Sequence, residues 1–199
     1  MKRILPLLLI LSCSGPSGFI LEGSIEAQDG RDWIYLRIYD EVYNLIDSAG
    51  VRLGMKTIPY DEEKYAYFRD SLGINPGHPY TVTAWTGEHA CTLSVTLPLE
   101  FEAQIPAAGE VNSPFSITWE SSGVPDEWRV VIFHGDIVVF EEILGGEEDS
   151  VWVPGSSFYE AGDYTVYLYA INYGEAKGDV VDFVFAGIVS TRGNLKVSE

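Results

Sequence analysis

Cations are scarce in this chain: 12 Lys and Arg stand against 30 Asp and Glu, for a formal charge of −18 at pH 7. A field of that sign repels nucleic-acid phosphates and keeps folded domains soluble and apart. Nucleic acid is therefore not expected as a partner. Histidine is scarcer still, and His78, His89 and His134 show neither a His-x-His nor a His-Glu-x-x-His spacing. A Gly-x-Ser-x-Gly elbow, a phosphate loop and an Asp-x-Asp-x-Asp-Gly calcium loop are also missing, so no cofactor and no catalytic residues are expected. Carboxylates are so abundant that any two could be imagined as an acid and a base, which makes such pairs uninformative. The acidic cluster Glu141, Glu142, Glu147, Glu148 and Asp149 has oxygen ligands for calcium, but a solvated hairpin loop is the simpler reading. Beyond residue 13 no run is apolar enough to cross a bilayer, which takes about 20 residues, and no convincing helical periodicity appears.

The apolar run that does exist is N-terminal. Lys2 and Arg3 precede Ile4 to Leu11, too short to span a membrane, and Cys13 follows at once. Such a segment is an export signal, to be left out of fold reasoning. Its end resembles the lipobox of bacterial lipoproteins: Ile10 and Ser12 suit cleavage before Cys13, although Leu11 is bulkier than the usual small residue. The resemblance implies acylation of Cys13, and Ser14 in place of Asp implies the outer membrane in a diderm cell. The other reading is a secretory signal cut further on, near Gly15 or Gly18. Acyl chains contribute about 0.8 kcal/mol per buried methylene, so two or three hold a soluble domain on a membrane without a spanning helix.

Everything after the leader alternates. In residues 90–97, Cys91, Leu93, Val95 and Leu97 share one face and Thr92, Ser94 and Thr96 the other, a half-buried strand. Cys91 is thus a core-facing small hydrophobe, left without a disulfide partner if Cys13 is acylated. Similar segments, separated by Gly, Pro, Asp and Asn, fall near 20–27, 32–39, 42–46, 51–58, 63–69, 79–86 and 90–97, then near 100–105, 114–120, 127–134, 136–143, 150–153, 163–171 and 179–186. The fold class is all-β, with two tandem antiparallel β-sandwich domains after the signal peptide. The expected division is a leader at 1–12, a tether at 13–19, a first sandwich at 20–98, a second at 99–187 and a C-terminal tail at 188–199.

The second half carries Glu160-Ala161-Gly162-Asp163-Tyr164-Thr165-Val166, and the first half nearly repeats it as Pro76-Gly77-His78-Pro79-Tyr80-Thr81-Val82. The later phrase resembles the tyrosine corner of immunoglobulin-like sandwiches, which implies that Gly162 lets the chain turn into strand F and that the Tyr164 hydroxyl bonds back to the loop. Together with Phe115 to Trp119 and Glu127 to Ile132 it is similar to Ig-like and fibronectin-type modules of bacterial envelope proteins. Where an antibody domain has its cysteines this chain has none, so the core must close on Ile117, Trp119, Trp128 or Val130, Val166 and Leu168. The whole resembles uncharacterised bacterial lipoproteins with a small sandwich before an Ig-like one, which implies envelope placement and seldom an activity.

One row of residues goes beyond structure. In residues 32–39, Ile34, Leu36 and Ile38 fall on one face and Trp33, Tyr35, Arg37 and Tyr39 on the other; Trp85 is likewise outward by parity, and Tyr167, Tyr169 and Tyr173 form a weaker outward row. Rigid rings with polar edges suit a protein partner or a sugar face; the plainer reading is cross-strand pairing that stiffens the sheet. The expected function is a non-catalytic, lipid-anchored envelope protein presenting sandwich surfaces to a protein or polysaccharide partner. The alternative is a glycan-binding accessory module of a polysaccharide-handling system, with a small hydrolase third. Acylation is checked directly: cells fed an alkyne fatty acid should label the wild type and not Cys13→Ser. Equal labelling of the two, or an unlabelled wild type in the soluble fraction, would remove the anchor.

Overall fold

The computed structural model describes residues 18–87 and 89–199. The expected leader, Cys13 and most of the expected tether lie outside the described residues. Within them the period-two pattern dictates strands. β1 (Phe19–Gln28) and β2 (Arg31–Tyr39) form a hairpin whose turn, Asp29 and Gly30, supplies two left-handed residues at φ 46° and 78°, as a two-residue hairpin turn requires. Leu21, Ile25, Ile34, Leu36 and Ile38 are fully enclosed on its inner face, each worth about 1.5–3 kcal/mol over exposure. There follow β3 (Gly50–Leu53), β4 (Lys56–Thr57), β5 (Tyr60–Asp61), β6 (Ala66–Asp70), β7 (Pro79–Trp85) and β8 (Ala90–Thr96). The second half contributes β9 (Phe101–Gln104), β10 (Ala108–Glu110), β11 (Phe115–Ser121), β12 (Glu127–His134), β13 (Ile137–Gly145), β14 (Ser150–Val153), β15 (Gly162–Tyr173), β16 (Glu175–Gly178) and β17 (Val180–Ser198).

These strands make three sheets. One nine-stranded sheet runs β13-β12-β15-β17-β1-β2-β6-β5, with β10 beside β17; a five-stranded sheet, β16-β8-β7-β3-β4, covers one half of it and a three-stranded sheet, β14-β11-β9, the other. Two cores result. The first holds Leu21, Ile34, Val51, Val82, Cys91 and Leu93 with Phe185 and Val189; the second holds Ile117, Trp119, Trp128, Val130, Val166 and Leu168 with Leu195 and Val197. In the second, β9, β11 and β14 face β13, β12, β15 and β17, an immunoglobulin-like arrangement in which the strand that would join the smaller sheet instead pairs beside β12.

Residues 188–199, expected as a tail, are strand through Ser198. The hairpin of β15 and β17 is why. After Tyr173 the chain leaves the second sandwich, adds β16 to the edge of β8, and turns at Gly178. There φ is 99° and a Cβ would fall 2.5 Å from the Ala90 carbonyl, so only glycine fits. It then returns as β17, which pairs parallel with β1 over residues 180–190 and antiparallel with β15 over residues 186–197. The first sandwich therefore borrows residues 175–190 in addition to 20–98. The parallel pairings of β17 with β1 and β10 also depart from the expected purely antiparallel sheets. Residues 42–46, expected as a strand, are a loop instead. The Asp40 carboxylate accepts the amides of Val42 at 3.0 Å and Asn44 at 2.8 Å and closes the chain locally before it can extend.

Terminating the chain after Gly187 tests the shared strand. It removes Val189 from the first core and Leu195 and Val197 from the second, cavities costing several kcal/mol in all, against a total stability of about 5–15 kcal/mol. The truncated protein should lose its cooperative thermal transition in circular dichroism; an unchanged transition would make these residues dispensable.

Candidate functional site

Parity and pairing together place the outward residues. On β2, Trp33 stands opposite Glu26 on one side and Asp70 on the other, Tyr35 opposite Ser24 and Phe68, Arg37 opposite Glu22 and Tyr39 opposite Ile20. The rows continue across the seam into the second sandwich: Glu26 to Ile188, Ile171 and Glu127, and Gln28 to Ser190, Tyr169 and Arg129. The Trp33 row and the Tyr167, Tyr169 and Tyr173 row, read from sequence as features of separate domains, thus lie on one outer face of one sheet. Trp85 does not join them. It belongs to β7 in the five-stranded sheet, where its ring lies against Gly50 and under the Arg52 guanidinium, 5.3 Å from centroid to Cζ. Sequence parity shows on which side of a strand a residue points, not to which sheet the strand belongs.

The rings are half-buried apart from Tyr173, which is exposed, and three of them carry a cation. Arg37 lies over Tyr35 at 5.2 Å, Arg192 over Tyr167 at 5.7 Å and Lys64 over Phe68 at 4.5 Å. Tyr167 and Tyr169 stack nearly parallel, 14° apart with centroids at 6.0 Å. Among the described residues no cation covers Trp33, which stands opposite Glu26 on the neighbouring strand. Ser24 Oγ donates to Glu26 Oε1 at 2.5 Å. Burial pushes the Glu26 carboxyl above its ordinary range, against the neighbouring Ser24 and Trp33 side chains, which pull it down. Burial likewise raises the Tyr169 hydroxyl, with Tyr167 and Glu26 adding to it. Arg37 Nε is enclosed without a hydrogen-bond partner. Arg129, beside Tyr169, is held by Glu141, to which its Nε donates at 2.8 Å. Sequence reasoning missed Glu26 and Ile188, the middle of the face. Glu26 was outward by parity but the pairing of β1 with β17 was invisible, and Ile188 had been assigned to a tail.

The two Gly-Tyr phrases hold loops rather than ligands. Tyr164 is fully enclosed and its hydroxyl donates to the Glu160 carbonyl at 2.9 Å. His134 stacks on it at 4.4 Å and 16°, with Nδ1 3.0 Å from Glu160 Oε1. A Cβ on Gly162 would fall 2.7 Å from His134 Nε2, so glycine makes room for that ring. Tyr80 does the corresponding work in the first sandwich, accepting the Asn75 amide at 2.6 Å. The indoles of Trp119 and Trp128 donate to the carbonyls of Glu148 at 2.9 Å and Gly146 at 3.0 Å, pinning the acidic hairpin loop. Of the residues weighed for calcium, Glu141 is engaged by Arg129, and no group of three or more metal-binding side chains converges among the described residues. Cys91 is enclosed, and burial pushes its thiol up to about 11, the signature of an inert core cysteine.

No known protein family matches the chain, and no curated protein does. Among solved structures it is similar to the fibronectin(III)-like modules of Clostridium thermocellum CbhA, at 11% identity over 87% of each chain with a TM-score of 0.25, a likeness that carries no argument about function.

Glu26 gives the face a measurable pH dependence. A carboxyl whose folded pKa is raised favours folding while protonated, and that contribution is lost as pH rises through the folded value. Glu26→Gln, neutral at every pH and still able to accept from Ser24, should therefore melt higher than wild type at pH 7, with the difference shrinking toward about pH 4, where an unperturbed glutamate takes up its proton. A Gln variant less stable at pH 7, or offset equally at both pH values, would show that Glu26 is not buried at a cost.

Proposed function

We propose that this chain is a non-catalytic, lipid-anchored protein of the bacterial cell envelope, at the outer membrane in a diderm, that presents the outer face of its nine-stranded sheet to a protein partner. The observation that carries this reading is the continuity of that face: aromatic rows from both sandwiches meet across β1 and β17 on one surface. An anchor at Cys13 sets the start of β1 nearest the membrane, and β17 runs parallel to β1 before entering the second sandwich. The first sandwich is then the membrane-proximal one and the second is held outward. Guanidinium groups over Tyr35 and Tyr167 leave donor edges rather than bare rings, which suits the carbonyls and carboxylates of a protein surface. The glycan-binding reading is favoured by one feature, the Trp33 ring without a cation over it.

Trp33→Ala and Tyr169→Ala separate the two. Each should leave the protein folded by its thermal transition, since a half-buried side chain contributes modestly. Capture of an envelope protein by both variants should weaken by about 1–2 kcal/mol, the low end of hot-spot costs. Loss of retention on envelope polysaccharide through Trp33 alone would select the glycan module. Undiminished binding of every partner by both variants would remove the face as the site.

A further inference from the structure

The sheets of this protein end, with one exception, in short strands. The nine-stranded sheet closes at β5 with two residues; the five-stranded sheet ends in β4 with two and β16 with four; the three-stranded sheet ends in β14 and β9, four each. Short edges are how folded proteins avoid pairing with other chains. The other end of the nine-stranded sheet is β13, nine residues long, and among the described residues it pairs only with β12; a bulge at Val139 bends its start and leaves residues 140–145 as the regular edge. Along it Ile137, Val138 and Ile143 are exposed by 61, 47 and 60%. A strand edge of that length presents a row of backbone donors and acceptors flanked by apolar side chains, the template for adding a further strand.

The middle of β13 says what can add. Glu141 lies on the outer face opposite Val131, and Glu142 follows on the core side, opposite Val130. A second copy pairing antiparallel about the strand's centre would set Glu141 against Glu141, and like charges directly opposed destabilise a strand pair. The formal charge of −18 on each copy adds to that repulsion. Glu141 is already held by Arg129, but Glu142 has no ion-pair partner among the described residues and favours an incoming strand with a cation at its centre.

We infer that the free edge of β13 is a docking site for an extended segment of another polypeptide with basic residues at its middle, which adds as a tenth strand to the sheet. The site is the sheet's edge, which adjoins the outer face at Glu141 and Arg129, and it does not depend on what that face binds.

The probe is a fluorescein-labelled peptide, Thr-Val-Thr-Lys-Arg-Val-Thr-Val-Thr, compared with versions carrying Glu-Glu for Lys-Arg or Pro for the central Arg. Fluorescence anisotropy should show binding of the Lys-Arg peptide and little of the other two, while amide exchange slows along β13. Glu142→Lys should weaken the Lys-Arg peptide about fivefold, the scale of one opposed charge pair, and strengthen the Glu-Glu peptide by a similar factor, a reversal that a misfolded variant would not show. Glu142→Gln should fall between. Binding of the proline peptide as well as the parent, or binding without protection of β13 amides, would mean attraction to the acidic surface and overturn strand addition. Failure of the Lys-Arg peptide to bind, or sedimentation of the wild type as a dimer that protects β13, would likewise overturn the assignment of a basic partner.

Discussion

The register of β17 is the constraint on which the rest depends. Its inward positions read Phe183, Phe185, Gly187, Val189, Thr191, Gly193, Leu195 and Val197, a period of two kept over a strand about 60 Å long. Large residues fall where each sandwich has its core, Phe185 and Val189 in one and Leu195 and Val197 in the other. Glycines fall where other parts of the chain cross close beneath: the connection between sandwiches at Gly187, and the turn after β9 at Gly193. A Cβ on Gly187 would lie 3.2 Å from the Leu97 Cα, and one on Gly193 would lie 2.7 Å from the Ile105 side chain. A slip of one residue would turn both apolar sets to solvent at once. Two cores of modest size therefore specify a single register between them.

Sharing a strand changes what the junction can do. Two sandwiches joined only by Leu97 to Glu100 would present a small, polar interface and move relative to each other by default. Here β17 is hydrogen-bonded to β1 on one side and β15 on the other through residues 186–190, and Asn172 Nδ2 donates to the Thr96 carbonyl at 2.9 Å beside the crossing. Bending at the seam would break ladder hydrogen bonds of a central strand. At the far end Asp179 ties β1, β8 and the β16 turn together: its carbonyl accepts the Phe19 amide at 2.8 Å and its carboxylate the Ala90 amide at 3.0 Å.

Much of this was legible locally and some was not. Alternation in residues 32–39 and 90–97 named the strands and their inward sides, and the Gly162 and Tyr164 phrase pointed to the hydroxyl that reaches the Glu160 carbonyl. Residues 188–198 looked like a tail because their inward positions include Thr191 and Gly193, so the apolar signal thins where Ile105 fills the space that a side chain would otherwise occupy. Residues 42–46 looked like a strand because a local Asx turn leaves no mark in a hydropathy pattern. The partner of each strand is the part that local pattern does not encode. That is why Trp85 was grouped with Trp33 although they sit on different sheets, and why Ile188 and Glu26 were not grouped although they are neighbours.

Scarcity of cations explains the character of the outer face. With 30 acids to satisfy and only 12 bases, an arginine spent over a ring is one withheld from a carboxylate. Yet Arg37, Arg52, Lys64 and Arg192 each lie over an aromatic ring. An exposed cation over a ring contributes about 0.5–1 kcal/mol, comparable to a good surface ion pair, and it also keeps a half-buried ring from offering its whole apolar area to solvent. On the outer face this arrangement orders long side chains that would otherwise be free, so a partner of the kind proposed would meet guanidinium groups already placed and lose less side-chain entropy on contact. The face is then neither a bare apolar patch nor a charged one. It carries guanidinium groups set over aromatic rings on β2 and β17, in a molecule whose remaining field repels polyanions.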